Sequence, residues 1–318
     1  METLKIGVTG GAGYIGSTLV VNLVENGHEV VSIDNQRLGD YRYLQKTIGD
    51  KARLVVGDIR DQELLLREWE GCEAIAHLAA LPGLVLCNQE PEEAISVNIY
   101  GTHQVGEAAK KLGVKRLVFC SSAATYGIPK ELPVTEDHPL NPVNLYGVTK
   151  VAGELILNTY HHNFGLETVN LRFGNIYGVG LYTRWGTVIP KFVKQALTGE
   201  PLTVYGDGEY SRDFVHVQDI TNALYLSLTK EGVSGETFNV GGETLTINQV
   251  ASIVAEEVEK ETGIHVEKLF TPPRVGEAKR FSYDLSKIRR GLGFKNEWTV
   301  RRGVRQLIRF YLETQRER

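Results

Sequence analysis

Cysteine, methionine, long apolar runs and charge of one sign are all scarce in this chain. Three cysteines (Cys72, Cys87, Cys120) stand among 318 residues. An odd number cannot all pair, and their spacing matches no metal-ligand pattern, so neither a disulfide scaffold nor a metal centre is expected. No apolar stretch reaches the roughly 20 residues that a membrane-spanning helix needs. The chain enters its first strand without a basic leader and cleavage site. The net charge is −4 with no basic run, which argues against a nucleic-acid surface. Repeats and low-complexity segments are absent too. What remains is an ordinary globular makeup, 42% hydrophobic and 23% charged. Such a length can bury a full core, as one large domain or one and a half. The cytoplasm is the expected compartment, with no membrane and no nucleic acid among the partners.

Glycine, in contrast, is plentiful, with 34 residues. Leu4–Thr9 reads as a short buried strand that runs into Gly10-Gly11-Ala12-Gly13-Tyr14-Ile15-Gly16, and Ser17–Val24 follows with apolar positions at helical spacing. Glycines permit the tight turn and let backbone N–H groups approach phosphates, while the helix N-terminus adds partial positive charge. The triplet alone is a weak signal in so glycine-rich a chain; its setting strengthens it. Gly27-His28 closes the helix, and Glu29–Asp34 is a second apolar strand ending in an acid 18 residues past Gly16. A carboxylate there accepts both hydroxyls of an adenosine ribose and repels a 2′-phosphate, so NAD is expected rather than NADP. Arg37 is read as solvated. Gly10, Gly13, Tyr14, Ile15, Gly16, Asp34 and Asn35 are the candidate contacts of this loop.

Further strands repeat the pattern. Arg53–Arg60 is a third, with Asp58 and Ile59 placed to flank the adenine and Asp58 also suited to cap a helix from about Asp61 to Trp69. Glu73–Ala80 is a fourth, and the small exit at Leu78, Ala79 and Ala80 lets a cofactor lie close to the backbone. His77, inside that strand, is read as a packed core histidine. Glu90–Leu112 reads as a long helix interrupted by Asn98 and Gly101, and the Asn98 amide is expected at the strand end or near the nicotinamide. Lys115–Cys120 is the fifth strand, left through Ser121–Gly127. Asn144–Asn163 is a second long helix, and Glu167–Arg172, followed by Phe173, is the sixth strand. Five βα units and a sixth strand predict an α/β, Rossmann-like, doubly wound parallel sheet. Beyond Gly174 come helices near 188–197, 217–228 and 247–261, extended segments at 202–205 and 236–240, and a final helix from Thr299. The expected division is a nucleotide domain at 1–174 and a smaller C-terminal α/β substrate lobe at 175–318, with 217–240 packing back onto the first.

Tyr-x-x-x-Lys occurs three times, at Tyr126/Lys130, Tyr146/Lys150 and Tyr283/Lys287. A pair four apart shares one face of a helix. Pro129 interrupts the first, the third lies far from the nucleotide half, and only Tyr146/Lys150 sits on a helix beside the sheet edge. A free tyrosine titrates near ~10; a neighbouring ammonium and a cationic nicotinamide are expected to lower it and make Tyr146 a base. Lys150 would also bond the nicotinamide ribose, Ser122 would share the proton, and Ser121 and Phe173 would line the same rim.

Thr9–Gly16, Asp34, His77–Ala80, Ser121–Gly127 and Tyr146–Lys150 resemble an extended short-chain dehydrogenase/reductase. Leu171–Gly178, Gly206-Asp207-Gly208, Arg212–Val217, Phe238–Gly242 and Pro273–Glu277 are similar to the nucleotide-sugar epimerase/dehydratase branch, UDP-glucose (UDP-galactose) 4-epimerases most closely. The likeness covers nearly the whole chain. It implies that Tyr146 takes the proton of the sugar 4-hydroxyl while the C4 hydride passes to NAD, that the keto sugar turns over, and that the hydride returns to its other face. It also implies that Asn175 and Arg212 hold the diphosphate, that Arg274 and Glu277 secure the nucleotide, and that Thr187, Val188, Thr203, Val204 and Tyr205 line the uridine pocket, with Ala123 beside Ser122. A homodimer through the two long helices is the family's habit. Ala123 and Ala124 stand where related dehydratases carry acids, which disfavours elimination. Phe281 falls where small residues in relatives admit a 2-acetamido group, which favours glucose and galactose; uronic acids, N-acetylhexosamines and other nucleotide sugars stay open. A net reductase and a non-catalytic dinucleotide sensor are the competing functions.

Overall fold

Runs of valine, isoleucine and leucine between turn residues supply the strands. The computed structural model describes residues 3–273 and 278–316. The first six strands are β1 (Lys5–Thr9), β2 (Glu29–Asp34), β3 (Ala52–Val56), β4 (Ala74–His77), β5 (Arg116–Ser122) and β6 (Glu167–Phe173). The chain then makes β7 (Asn175–Tyr177), β8 (Leu202–Tyr205) and β9 (Ser211–His216) outside this set, and β10 (Thr237–Val240) returns to it before β11 (Glu243–Thr246) and β12 (Lys268–Thr271). The large sheet runs β10-β6-β5-β4-β1-β2-β3, every neighbouring pair parallel. Strand order reverses between β1 and β4. Connections leave that point to opposite faces and open a crevice at the strands' C-terminal ends, where dinucleotides bind in such sheets. The expected Rossmann-like doubly wound architecture is what forms.

Helices cover both faces of the sheet, as a parallel sheet requires. On one face α1 (Tyr14–Glu25) buries Leu19 and Leu23, and α2 (Arg42–Ile48) buries Leu44 and Ile48. On the other, α3 (Gln62–Glu68) presents Leu65 to a second cluster. Next come α4 (Gly83–Gln89), α5 (Pro91–Ile95), α6 (Thr102–Lys111) and α7 (Leu145–Phe164). Val105 of α6 and Leu157 of α7 join the same cluster as Leu65. Later helices are α8 (Val188–Leu197), α9 (Val217–Thr229), α10 (Ile247–Thr262), α11 (Ser286–Leu292) and α12 (Val300–Arg316). Helix α9 lies beside α1, and its Ile220 and Leu224 belong to the first cluster. Helices α8, α10 and α12 form a third cluster with β8 and β9. The small sheets order as β11-β9-β7 and β12-β8.

Several local expectations need correction. The polar stretch after Asp34 contains α2, because Leu44 and Ile48, four apart, suffice to anchor one helical face. The helix at 90–112 is broken differently from an ordinary interruption. Residues Ser96–Gly101 form a π turn between α5 and α6. Gly101 is needed there because a Cβ would meet Ile59 at 2.5 Å. Asp61, not Asp58, caps α3, its side chain accepting from the Leu64 N–H. Among the described residues, no helix is long and apolar enough to cross a membrane.

Candidate active site

The C-terminal ends of β1, β2, β4, β5 and β6 open onto one cavity of about 610 Å³, within the range typical of ligand sites. Its floor at one end is the glycine turn. Gly10 has φ +73, and a Cβ there would meet the Ala79 backbone nitrogen at 2.8 Å. Gly16 packs tighter still, with a Cβ position 2.0 Å from the Gly10 carbonyl oxygen. Gly13 differs: a Cβ would meet only that oxygen, at 3.2 Å, so its missing side chain leaves space on the cavity side. Gly13 caps α1 without a side-chain acceptor, and first-turn N–H groups have no intrahelical partner. Bare N–H groups, an open glycine and a helix N-terminus together fit a dinucleotide pyrophosphate.

Asp34 stands at the end of β2 in the wall. Its carboxylate accepts from the Ala12 N–H at 3.0 Å and the Gln36 N–H at 2.6 Å. A carboxylate has about four lone-pair sites, so acceptor capacity is left for ribose hydroxyls. Burial pushes its pKa up, and the two N–H groups pull it back. Arg37 is exposed to solvent, as expected, but it also lines the cavity and pairs with Glu90 and, at 3.6 Å, with Glu93. A guanidinium so engaged is a poor receiver for a 2′-phosphate. Asp58 grips Arg60 at 2.6 Å and also bonds Asn35, and both acids' neighbours, Asn35 and Ile59, are in the wall.

Small residues at the exit of β4 do line the cavity, as Leu78, Ala79 and Ala80. Thr9 holds them, its Oγ1 accepting from the N–H groups of Leu78 and Ala79, both at 3.0 Å. His77 bonds Thr9 through Nδ1 and Thr102 through Nε2. Burial lowers its pKa to about 3, so it is a neutral structural residue. Asn98 lies outside the wall: its Oδ1 accepts from the Leu81 N–H at 2.7 Å, and its Nδ2 donates to the Leu81 carbonyl and to Thr149. The amide thus holds Leu81, which is itself in the wall.

Helix α7 begins where Asn144 accepts from the Gly147 N–H at 2.9 Å. That cap aims its first turn at the cavity, where Tyr146 and Lys150 join Ser121, Ser122 and Phe173. Ser122 lies near enough to the Tyr146 phenol to favour its ionised form, and its Oγ accepts from the Ala124 N–H. Lys150 donates to the Cys120 carbonyl at 2.7 Å, with Nζ 5.8 Å from the centre of the Tyr146 ring. The expected lowering of the phenol is reversed in the protein alone. Burial pushes Tyr146 up to about 12, against smaller downward effects of Ser122 and Arg184. Burial also pulls Lys150 down to about 8. The other two Tyr-x-x-x-Lys pairs are structural: Tyr126 bonds Asn239 and Lys287 pairs with Glu236.

From the second half of the chain, Asn175, Thr187 and Val188 reach the wall. Ala123 sits in a short turn packed on the first cluster. Val204 is fully buried in the third cluster, Thr203 bonds Gln195, and Lys191 lies over the Tyr205 ring. Arg212 donates to the Ser211 and Ala278 carbonyls. None of these five residues lines this cavity; Arg274 and Glu277 lie outside the described residues. Phe281 is buried against Tyr126 and Tyr283, outside the wall, so its position gives no support to exclusion of a 2-acetamido group. Sequence reasoning missed Tyr177, Tyr182, Arg184 and Phe214, all in the wall. Tyr182 bonds Asp40 across 142 residues, and no local periodicity signals such a contact.

Residues 6–241 match the model of the NAD dependent epimerase/dehydratase family. A UDP-glucose 4-epimerase of Mycolicibacterium smegmatis is 34% identical over 98% of both chains. The structure of a UDP-glucuronic acid 4-epimerase from Bacillus cereus, in complex with UDP-glucuronic acid and NAD, superposes with a TM-score of 0.88 at 30% identity, covering 98% of this chain and all of the other. A UDP-N-acetylglucosamine 4-epimerase from Methanobrevibacter ruminantium M1, in complex with UDP-N-acetylmuramic acid, superposes at 0.89 and 30% identity, covering 99% of this chain and all of the other.

Proposed function

Given that this chain belongs to the NAD-dependent epimerase/dehydratase family and uses NAD, we propose that it inverts C4 of a UDP-sugar, with UDP-glucose and UDP-galactose as the favoured pair. The observation that carries this reading is the meeting of Tyr146, Ser122 and, one helical turn beyond Tyr146, Lys150 in the wall of one cavity. Tyr146 takes the proton of the sugar 4-hydroxyl as the C4 hydrogen departs with its electron pair, and later returns it. NAD, when bound, supplies the reversible acceptor for that hydride and a positive charge that favours the Tyr146 phenolate. Lys150 adds a second positive charge, and Ser122 aligns hydroxyl and phenol. Ala123 and Ala124 offer no acid or base, so the keto sugar is reduced again without elimination.

A UDP-uronate is the second reading, favoured by Arg184. That side chain is exposed in the cavity, and its charge is felt at Tyr146. One experiment separates the options: the purified protein, with no added NAD, is given UDP-galactose, UDP-N-acetylglucosamine and UDP-glucuronate in turn, and products are followed by NMR. C4 inversion without net NADH supports the proposal, and the sugar converted fastest names the substrate. Stoichiometric NADH instead identifies a net dehydrogenase and overturns it.

The quaternary proposal is a homodimer through α7 and the helical run at 90–112. Ile95 and Tyr100 are exposed on that run, and Val148 and Leu155, seven apart on one face of α7, are 44% and 57% exposed; isolated apolar residues are commonplace on surfaces, but a shared helical face suits an isologous contact. The cytoplasm is the proposed location, in keeping with three free, buried cysteines.

A further inference from the structure

Tyr146 and Lys150 are the first two members of a longer column. On α7 the next residue at the same spacing is Glu154, which is 2% exposed. A carboxylate buried this deeply needs full pairing. It has it: Arg172, on β6, donates to Glu154 at 2.7 and 3.0 Å. Ser121, on β5 opposite Arg172 in register, donates its hydroxyl proton to the same carboxylate. Arg172 is itself fixed by the Tyr126 hydroxyl at 2.8 Å and the Glu136 carbonyl at 3.0 Å, and Tyr126 continues to Asn239 on β10. The helix that carries the catalytic pair is therefore pinned by an ion pair to β6 and, through hydrogen bonds of the same network, to β5 and β10.

Two consequences reach the cavity. Ser121 lines it and has only one proton to give; with that proton on Glu154, its Oγ faces the cavity as an acceptor. Lys150 lies between Tyr146 and Glu154 on one helical face. The other titratable groups about it are Cys120 on β5, Cys87 on α4 and His77 on β4. The two thiols and the histidine are held neutral by burial, which among the described residues leaves the Glu154 carboxylate as the negative charge near the ammonium.

We propose that Glu154, clamped by Arg172, is a positioning residue of the active site: it sets the donor–acceptor sense of Ser121 and keeps Lys150 protonated. This rests on the roles given above to Tyr146 and Lys150. The test uses the NAD-loaded protein with lysines labelled at 13Cε, the Lys150 signal being assigned by its loss in Lys150→Arg. The double variant Glu154→Gln/Arg172→Gln removes both buried charges together and strands neither. Its Lys150 titration midpoint is expected to fall by about one pH unit, with the alkaline limb of turnover moving down in step. An unmoved midpoint in a folded double variant overturns the proposal and reduces the pair to a structural tie. Should that variant not fold, Glu154→Asp, which withdraws the same charge by one methylene, is read in its place: a smaller fall is expected, and no change again overturns it. The NMR midpoint needs no sugar, so a wild type that turns over none of the UDP-sugars defeats the proposed function and leaves this result standing or falling by itself.

Discussion

At the adenosine end of the cavity, the charged groups are already engaged inside the protein; at the reacting end, burial holds them away from their working states. Asp34 is bonded to two backbone N–H groups, Arg37 to Glu90, and Arg60 to Asp58 and Glu93. Tyr146 and Lys150, by comparison, are displaced in opposite directions by desolvation, the phenol to about 12 and the ammonium to about 8. On the proposed reading, one end is a preformed mould for a dinucleotide. The other is a dry pocket in which each added charge has a large effect, because little water screens it. Affinity is built into the first and rate into the second.

Substitutions can break that division in order of size. Tyr146→Phe removes the proton acceptor while keeping the ring, so turnover is expected to fall by roughly 10²–10⁴-fold, with NAD content of the purified protein unchanged. Comparable loss of NAD would dissolve the distinction between the two ends. Gly13→Ala is the mirror case. Its Cβ meets only the Gly10 carbonyl, at 3.2 Å, so the fold should persist while the methyl obstructs the approach of phosphate. An NAD dissociation constant raised by about tenfold or more, ~1.4 kcal/mol, with thermal midpoint nearly unchanged, is the expected result.

Arg184→Ala tests the reacting end from the substrate side. KM for the UDP-sugar is expected to rise about five- to tenfold, the worth of one charge-assisted hydrogen bond in a partly exposed site, with NAD binding unaffected. A larger rise for UDP-glucuronate than for UDP-galactose would favour the uronate reading. The smallest effect is one of pH. Lys150 has its folded pKa lowered to about 8, and in the proposed mechanism its cationic form is the active one. Turnover should therefore be sustained below that value and decline as pH rises through it, in a profile measured at saturating sugar. A plateau up to the ordinary lysine range, ~10, would show that burial does not govern this group.

The same contrast marks what could be read before the coordinates. The glycine turn, Asp34 and the Tyr146/Lys150 pair were legible because each is a local pattern: a strand, a turn and a helix in immediate succession, or two residues one turn apart. Small residues at the exit of β4 were legible for the same reason. Contacts closed over long sequence distances were not. Arg37 meets Glu90 across 53 residues and Tyr14 donates to Gly178 across 164, and no periodicity encodes either. Phe281 shows the converse hazard. A position aligned with a ligand-facing residue turned inward here, because Tyr126 and Tyr283 offered it aromatic edges. Helix α2 was hidden by composition, since two aliphatic residues among polar ones are enough to seat a short helix but too few to announce it.

Strand β10 carries a consequence for how the molecule is made. It closes the edge of the large sheet beside β6, yet it is separated from β6 by β7, α8, β8, β9 and α9. On a ribosome, β6 emerges well before its outer neighbour exists and spends that interval with a row of bare backbone groups, the kind of edge that recruits foreign strands. Asn239 of β10 is also what receives the Tyr126 hydroxyl. The nascent nucleotide half therefore waits on residues translated much later, and a chaperone or slow elongation over codons 174–236 would guard the stage at which aggregation is most tempting.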